Sequence, residues 1–122
     1  MSGISKTSAT NVNTILFSNA STMSVGVVVS SAGAVEENGK KLVKAGTPLA
    51  GSLEARTTAF TKATGSDAVG VLLHDVDVTK GNGNGTLLIE GCVDLNKLDA
   101  TTAGLITEEV KTALSGKVTF LK

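Results

Sequence analysis

The apolar residues of this chain arrive in short β-branched runs closed off by glycine: SVGVVVSSAG at Ser24 to Gly33, AVGVLLHDVDV at Ala68 to Val78, and GTLLIEGCVDL at Gly85 to Leu95. Valine, isoleucine and threonine make up 34 of the 122 residues, and 14 glycines interrupt them. Branching at Cβ restricts χ1 in a helix and suits a pleated strand, while glycine supplies turns and bulges. The pattern predicts a mainly β fold, a small β-barrel or sandwich-like domain.

Composition divides the chain near residue 23. Lys6 is the only charged side chain among the first 35 residues, and 13 of the first 24 are Ser, Thr or Asn. Such a segment has too little apolar surface to offset the entropy of being ordered. Residues 1–23 are therefore predicted to be a flexible N-terminal arm ahead of a single β-rich domain, 24–122. The arm's one apolar cluster, Ile15, Leu16 and Phe17, is its candidate docking anchor. Within the domain, Asn38-Gly39 between apolar runs marks a hairpin turn, and Pro48, lacking an N–H, suits a strand start. The chain is expected to leave the sheet near Gly51 and to run irregularly until a strand around Thr57 to Lys62. Ile106, Val110, Ala113 and Leu114 form one stripe at helical spacing, with Thr107 as cap, Glu108 and Glu109 in the first turn and Gly116 at the end. That is the one short helix expected. KVTFL, Lys117 to Leu121, follows as the last strand.

Charge and cysteine usage narrow the function classes. The 11 basic and 11 acidic residues cancel and lie singly or in pairs, and the three phenylalanines are far apart. Neither a phosphate-neutralising surface nor a base-stacking platform results, so no nucleic-acid partner is expected. No apolar run reaches the roughly 20 residues that span a bilayer, and the start of the chain lacks a signal-peptide pattern, so no membrane partner is expected. The single cysteine, Cys92, cannot close an internal disulfide, which fits cytoplasmic synthesis; between Gly91 and Val93 it reads as a buried, inert thiol.

His74, Asp75 and Asp77 are the nearest approach to a ligand cluster. On a regular strand His74 and Asp77 point to opposite faces, and the chain has no second histidine, so no metal site is assigned. Strict alternation would also turn Asp75 inward beside Val71 and Leu73, so a bend near His74 and Asp75 is expected. Asp75 and Asp77 are then acids that shape a turn. The GNGNG stretch, Gly81 to Gly85, differs from phosphate-binding glycine loops because those lead into a helix and here a strand follows. Gly81, Gly83 and Gly85 are read as shaping a loop between strands, where Asn and Gly both tolerate positive φ. No serine occupies a nucleophile elbow and Cys92 has no evident histidine partner, so no catalytic residue and no cofactor is assigned.

Taken together, VKAGTPLAG at Val43 to Gly51, then AVGVLLHDVDVTKGNGNGTLLIEGCVDLNKL at Ala68 to Leu98, then a short helix and final strand, resemble the head-decoration and head-fibre proteins of tailed bacteriophages. The features that carry the likeness are the Asp-Val-Asp turn after a strand and the strand with an internal glycine, Gly91. The resemblance covers about Lys41 to Lys122. It implies a non-enzymatic structural virion protein on the capsid exterior, made in the host bacterial cytoplasm. The major capsid protein would be its partner, and a homotrimer its usual state. The chain is too short for an appended stalk, which favours decoration over a long fibre. The valine run Val25 to Val29, an aggregation-prone strand edge unless something covers it, agrees with self-association. A second reading is a lipoyl- or biotinyl-type β-sandwich carrier module. It would need a lysine displayed at a hairpin tip with characteristic neighbours, which Lys80, beside the glycine loop, lacks.

Overall fold

Strand β8 (Gly83–Asp94) organises the molecule, because it is long enough to take different partners along its two edges. The computed structural model describes residues 15–122, the side chains of 17–21 excepted. Its other strands are β1 (Leu16–Val29), β2 (Val35–Glu37), β3 (Lys40–Val43), β4 (Pro48–Ala50), β5 (Thr61–Lys62), β6 (Gly70–Leu72), β7 (Val76–Asp77) and β9 (Val118–Leu121). Two short helices, α1 (Ala100–Ala103) and α2 (Glu108–Ala113), precede β9. The fold is mainly β, with two sheets, as the β-branched runs predict.

The larger sheet runs β1-β8-β6-β4-β5. Phe60, immediately before β5, forms a parallel bridge with Val29. The Phe60 amide donates to Val28 O at 2.7 Å and the Ser30 amide donates to Phe60 O at 2.8 Å. The outermost strands therefore meet and the sheet closes on itself as a small barrel. Alternation then assigns the faces. Val27 and Val29, Leu87, Leu72, Leu49 and Phe60 belong to one buried cluster, so every wall of the ring contributes to its interior. The smaller sheet, β2-β3-β7, adds Val43 and Val76 to that cluster, and Val78 follows β7.

Glycines make this narrow interior possible. A Cβ on Gly85 would stand 2.9 Å from both Val29 and Val76, and one on Gly51 would stand 2.6 Å from the Phe60 ring. Small barrels fill their taper by setting small residues against large ones, and here the small residue is glycine. Gly83 and Gly85 lie within β8, so the expected five-residue glycine loop is shorter than its sequence suggests. Of the three glycines read as loop-shaping, only Gly81 stays in the turn, at φ +129.

The opposite side of β6 and β8 is buried too. Val71, Leu88 and Val93 pack with Ile106, Val110, Leu114 and Val118 from the C-terminal segment, and with Ile15 and Leu16. At Gly91 the edge of β8 changes partner. β6 pairs with Leu87 and Leu88, and β9 then takes Gly91 to Asp94 in parallel. The expected helix forms as α2, with Thr107 Oγ1 accepting from the Val110 amide at 3.4 Å and Gly116 beyond its end at φ +83. Helix α1 was not anticipated. It is a single turn started by Asp99, too short to show an amphipathic stripe.

Two further expectations are corrected. The boundary at residue 23 falls inside β1, and Ile15 and Leu16 are each 1% exposed, so the arm can comprise at most residues 1–14, which lie outside the described residues. The valine edge is also covered by the chain itself. Arg56 donates from Nη1 to Gly26 O at 3.0 Å, and the Val28 amide donates to Arg56 O at 3.4 Å, ahead of the Phe60 bonds.

Candidate functional site

The acids singled out in the sequence are turn fasteners. β6 ends at Leu72, the chain bends at His74, and β7 starts at Val76, so the predicted bend leaves Asp75 exposed and not inward. Asp75 Oδ1 accepts from the Ala45 amide at 2.7 Å, tying this bend to the turn before β4. Asp77 Oδ1 accepts from Thr79 Oγ1 at 2.6 Å and from the Thr79 amide at 2.9 Å. The Thr79 hydroxyl oxygen in turn accepts from the Lys41 amide at 2.9 Å, which stitches the turn to β3. Those bonds from Thr79, hydroxyl first, hold the Asp77 carboxyl below its ordinary range. His74 is half-buried in the bend, and Cys92 is half-buried in β8 opposite Ser18 and Thr119, so it is not the fully buried thiol expected.

The structure does not bring Ile15, Leu16 and Phe17 together as a docking surface. Ile15 and Leu16 are core, and the Phe17 side chain lies outside the described residues. Lys80 lies exposed in the turn between β7 and β8, which belong to different sheets, and not at the tip of a hairpin of paired strands.

Charged groups converge elsewhere, in a cleft of about 260 Å³ between the β2–β3 hairpin and α1, lined by Glu37, Lys44, Lys62, Asp99 and Thr101. Lys44 Nζ and Glu37 Oε1 are 2.8 Å apart. The Glu37 carboxylate raises the Lys44 pKa above its ordinary value. Asp99 Oδ2 accepts from Thr102 Oγ1 at 2.7 Å and from the Thr102 amide at 3.3 Å, as the N-cap of α1. The Thr102 hydroxyl is the main reason the Asp99 carboxyl is lowered. The lysine is thus held protonated and the acid ionised. The cleft presents fixed charges, and neither of these two groups is poised to exchange a proton near neutrality.

Sequence reasoning missed this cleft, although Asp-x-x-Thr at 99–102 is a readable helix start. It also missed a hollow lined by Met23, Leu53, Val69 and Ile89 together with Glu90 and Lys117, which contains two of the most exposed large hydrophobic side chains, Met23 at 52% and Leu53 at 41%. Among the described residues no three His, Cys, Asp or Glu side chains are placed to hold a metal ion, and no helix is long and apolar enough to cross a membrane. No protein-family model and no curated protein matches the chain.

Proposed function

We propose that this protein is a structural component of a tailed-phage head, binding the exterior of the assembled capsid and reinforcing it. The observation that carries the reading is where the resembling segments fall. Val43 to Gly51 contains β4, and Ala68 to Leu98 contains β6, β7 and β8; β4, β6 and β8 lie side by side as three consecutive barrel strands, while β7 belongs to the smaller sheet. The likeness therefore covers the middle of the barrel wall and the strand that joins it to the smaller sheet. The use of the acids is consistent with a structural role, since Asp67, Asp75, Asp77, Asp94 and Asp99 all accept hydrogen bonds that fasten turns or caps.

The proposal assigns docking to the segment before Ile15. Leu16 of β1 and Phe120 of β9 both stand beside Val93, on opposite edges of β8. The described chain therefore begins, at Ile15, at the same end of the domain as the C-terminus. Residues 1–14 are the docking segment in this proposal, adding to a strand edge on the shell through backbone hydrogen bonds. A trimer remains part of the proposal on the resemblance alone, because the valine edge that also argued for it is covered.

Electron microscopy of undecorated capsids mixed with the purified protein tests the reading. Added density at fixed lattice positions is expected. Capsids that stay bare at saturating protein would overturn it.

A further inference from the structure

The chain contains three Asn-Gly pairs, at 38–39, 82–83 and 84–85. Such a pair can rearrange without an enzyme. The backbone nitrogen of the glycine attacks the asparagine Cγ and loses its proton, the side-chain nitrogen leaves as ammonia, and a five-membered succinimide forms. Water then opens the ring at either carbonyl, giving aspartate or isoaspartate. No oxidation or reduction is involved, and solvent is the only co-reactant. Because all three sites have glycine as the attacking residue, any difference among them must come from how freely the backbone can turn to bring nitrogen and Cγ together.

The fold separates them. Asn84 lies in β8 opposite Val28, and the Gly85 that would attack it is packed among Val29, Val76 and Leu72. Gly83, which would attack Asn82, opposes Val29 in the same ladder, and a Cβ there would stand 2.7 Å from Val76. Asn82 is tied as well, its Oδ1 accepting from the Ser31 amide at 3.1 Å. Reaching the cyclisation geometry at either site means opening the barrel wall. Asn38 and Gly39 instead form the exposed tip of the short β2–β3 hairpin, at φ 54 and φ 79, with nothing within 4 Å of a Cβ on Gly39. Short edge hairpins open locally at low free-energy cost, which gives this tip frequent access to other conformers.

We infer that Asn38 is a built-in site of spontaneous succinimide formation and isoaspartate accumulation, while Asn82 and Asn84 are protected by the barrel. The modification has a structural consequence. An isoaspartyl link adds a backbone carbon to a turn whose two-residue length sets the β2–β3 register, and it places a new carboxylate beside Glu36 and Glu37. The Glu37–Lys44 pair at the cleft is the contact most directly loosened.

The test is ageing of the full-length protein in mildly alkaline buffer, with and without denaturant. Peptide mass mapping and an isoaspartate-specific methyltransferase label would locate the product. In the native protein Asn38 is expected to convert at least about tenfold faster than the other two sites, a barrier difference of about 1.4 kcal/mol. In denaturant the three rates should converge. Asn38→Gly, which keeps a turn-compatible residue at positive φ, should abolish the native-state signal without loss of folded protein. Faster conversion at Asn82 or Asn84, equal rates in the native state, or an Asn38 preference that survives denaturation would each overturn the inference.

Discussion

At the scale of single residues, this fold separates glycines required by space from glycines that are merely tolerated. Gly85 faces the barrel interior, where an added methyl would meet Val29, Val76 and Leu72 at 2.9 to 3.0 Å. Gly26 sits in β1 with open space around its missing Cβ and no positive φ. Gly85→Ala should destabilise by about 1–3 kcal/mol through overpacking. Gly26→Ala should be neutral or stabilise by up to about 1 kcal/mol, by reducing the freedom of the unfolded chain. Chemical denaturation of the two variants checks the contrast, and equal effects would count against the inward assignment of Gly85. Aspartates govern the response to acid. Asp77 and Asp99 are depressed below the ordinary carboxylate value, so the stability they contribute is fully present above that value and is lost as pH falls through their lower folded-state values. Lys44 is raised above 10.5, so its contribution is present below that value and is lost as pH rises through the folded-state value. Melting temperature followed against pH should show a plateau with an acid limb, and Asp99→Asn should make that limb shallower.

At the scale of elements, the consequential revision concerns β1. Its first residues look like a polar tail because the apolar cluster Ile15 to Phe17 is isolated in sequence from the valine run. In space Leu16 lies across from Val93, and Lys97 Nζ donates to Leu16 O at 2.8 Å. Local composition shows neither contact, since both partners lie far along the chain. Deleting residues 1–14 should therefore leave the domain's stability unchanged, whereas deleting 1–19 removes two fully buried side chains, each worth about 2–5 kcal/mol. Parallel thermal melts would decide it. Elements whose signals are local were legible: the Asn38-Gly39 turn, the Pro48 strand start, the bend at His74, and the Thr107 cap with Gly116. Closure of the barrel was not, because the expected strand around Thr57 to Lys62, which includes Phe60, has no clean period, and its pairing with Val29 is set by the ring as a whole. The cleft was hidden for a related reason. Lys44, Lys62 and Asp99 come from three separated segments, and only the topology brings them together.

At the scale of the molecule, the proposed reinforcing role makes a quantitative demand. A partner that binds the folded domain and not its unfolded chain raises apparent stability by mass action, by about 2.7 kcal/mol when the available sites are at 100 times Kd. The exchange is mutual, because a domain held on several shell subunits resists their separation as they resist its unfolding. Three results should therefore travel together. Decorated capsids should rupture at a higher temperature than bare ones, the bound domain should unfold later than the free one, and removal of residues 1–14 should abolish both shifts while the free truncated domain melts as before. The last condition is secure only because Ile15 and Leu16 remain in the core after that cut. Differential scanning calorimetry on the free protein, bare capsids and their mixture reads all three. If the truncated domain protects capsids as well as the full chain does, the docking surface lies on the barrel body, and the hollow around Met23 and Leu53 becomes the surface to substitute next. If neither form shifts either transition, the reinforcing role itself is wrong, however well the domain folds.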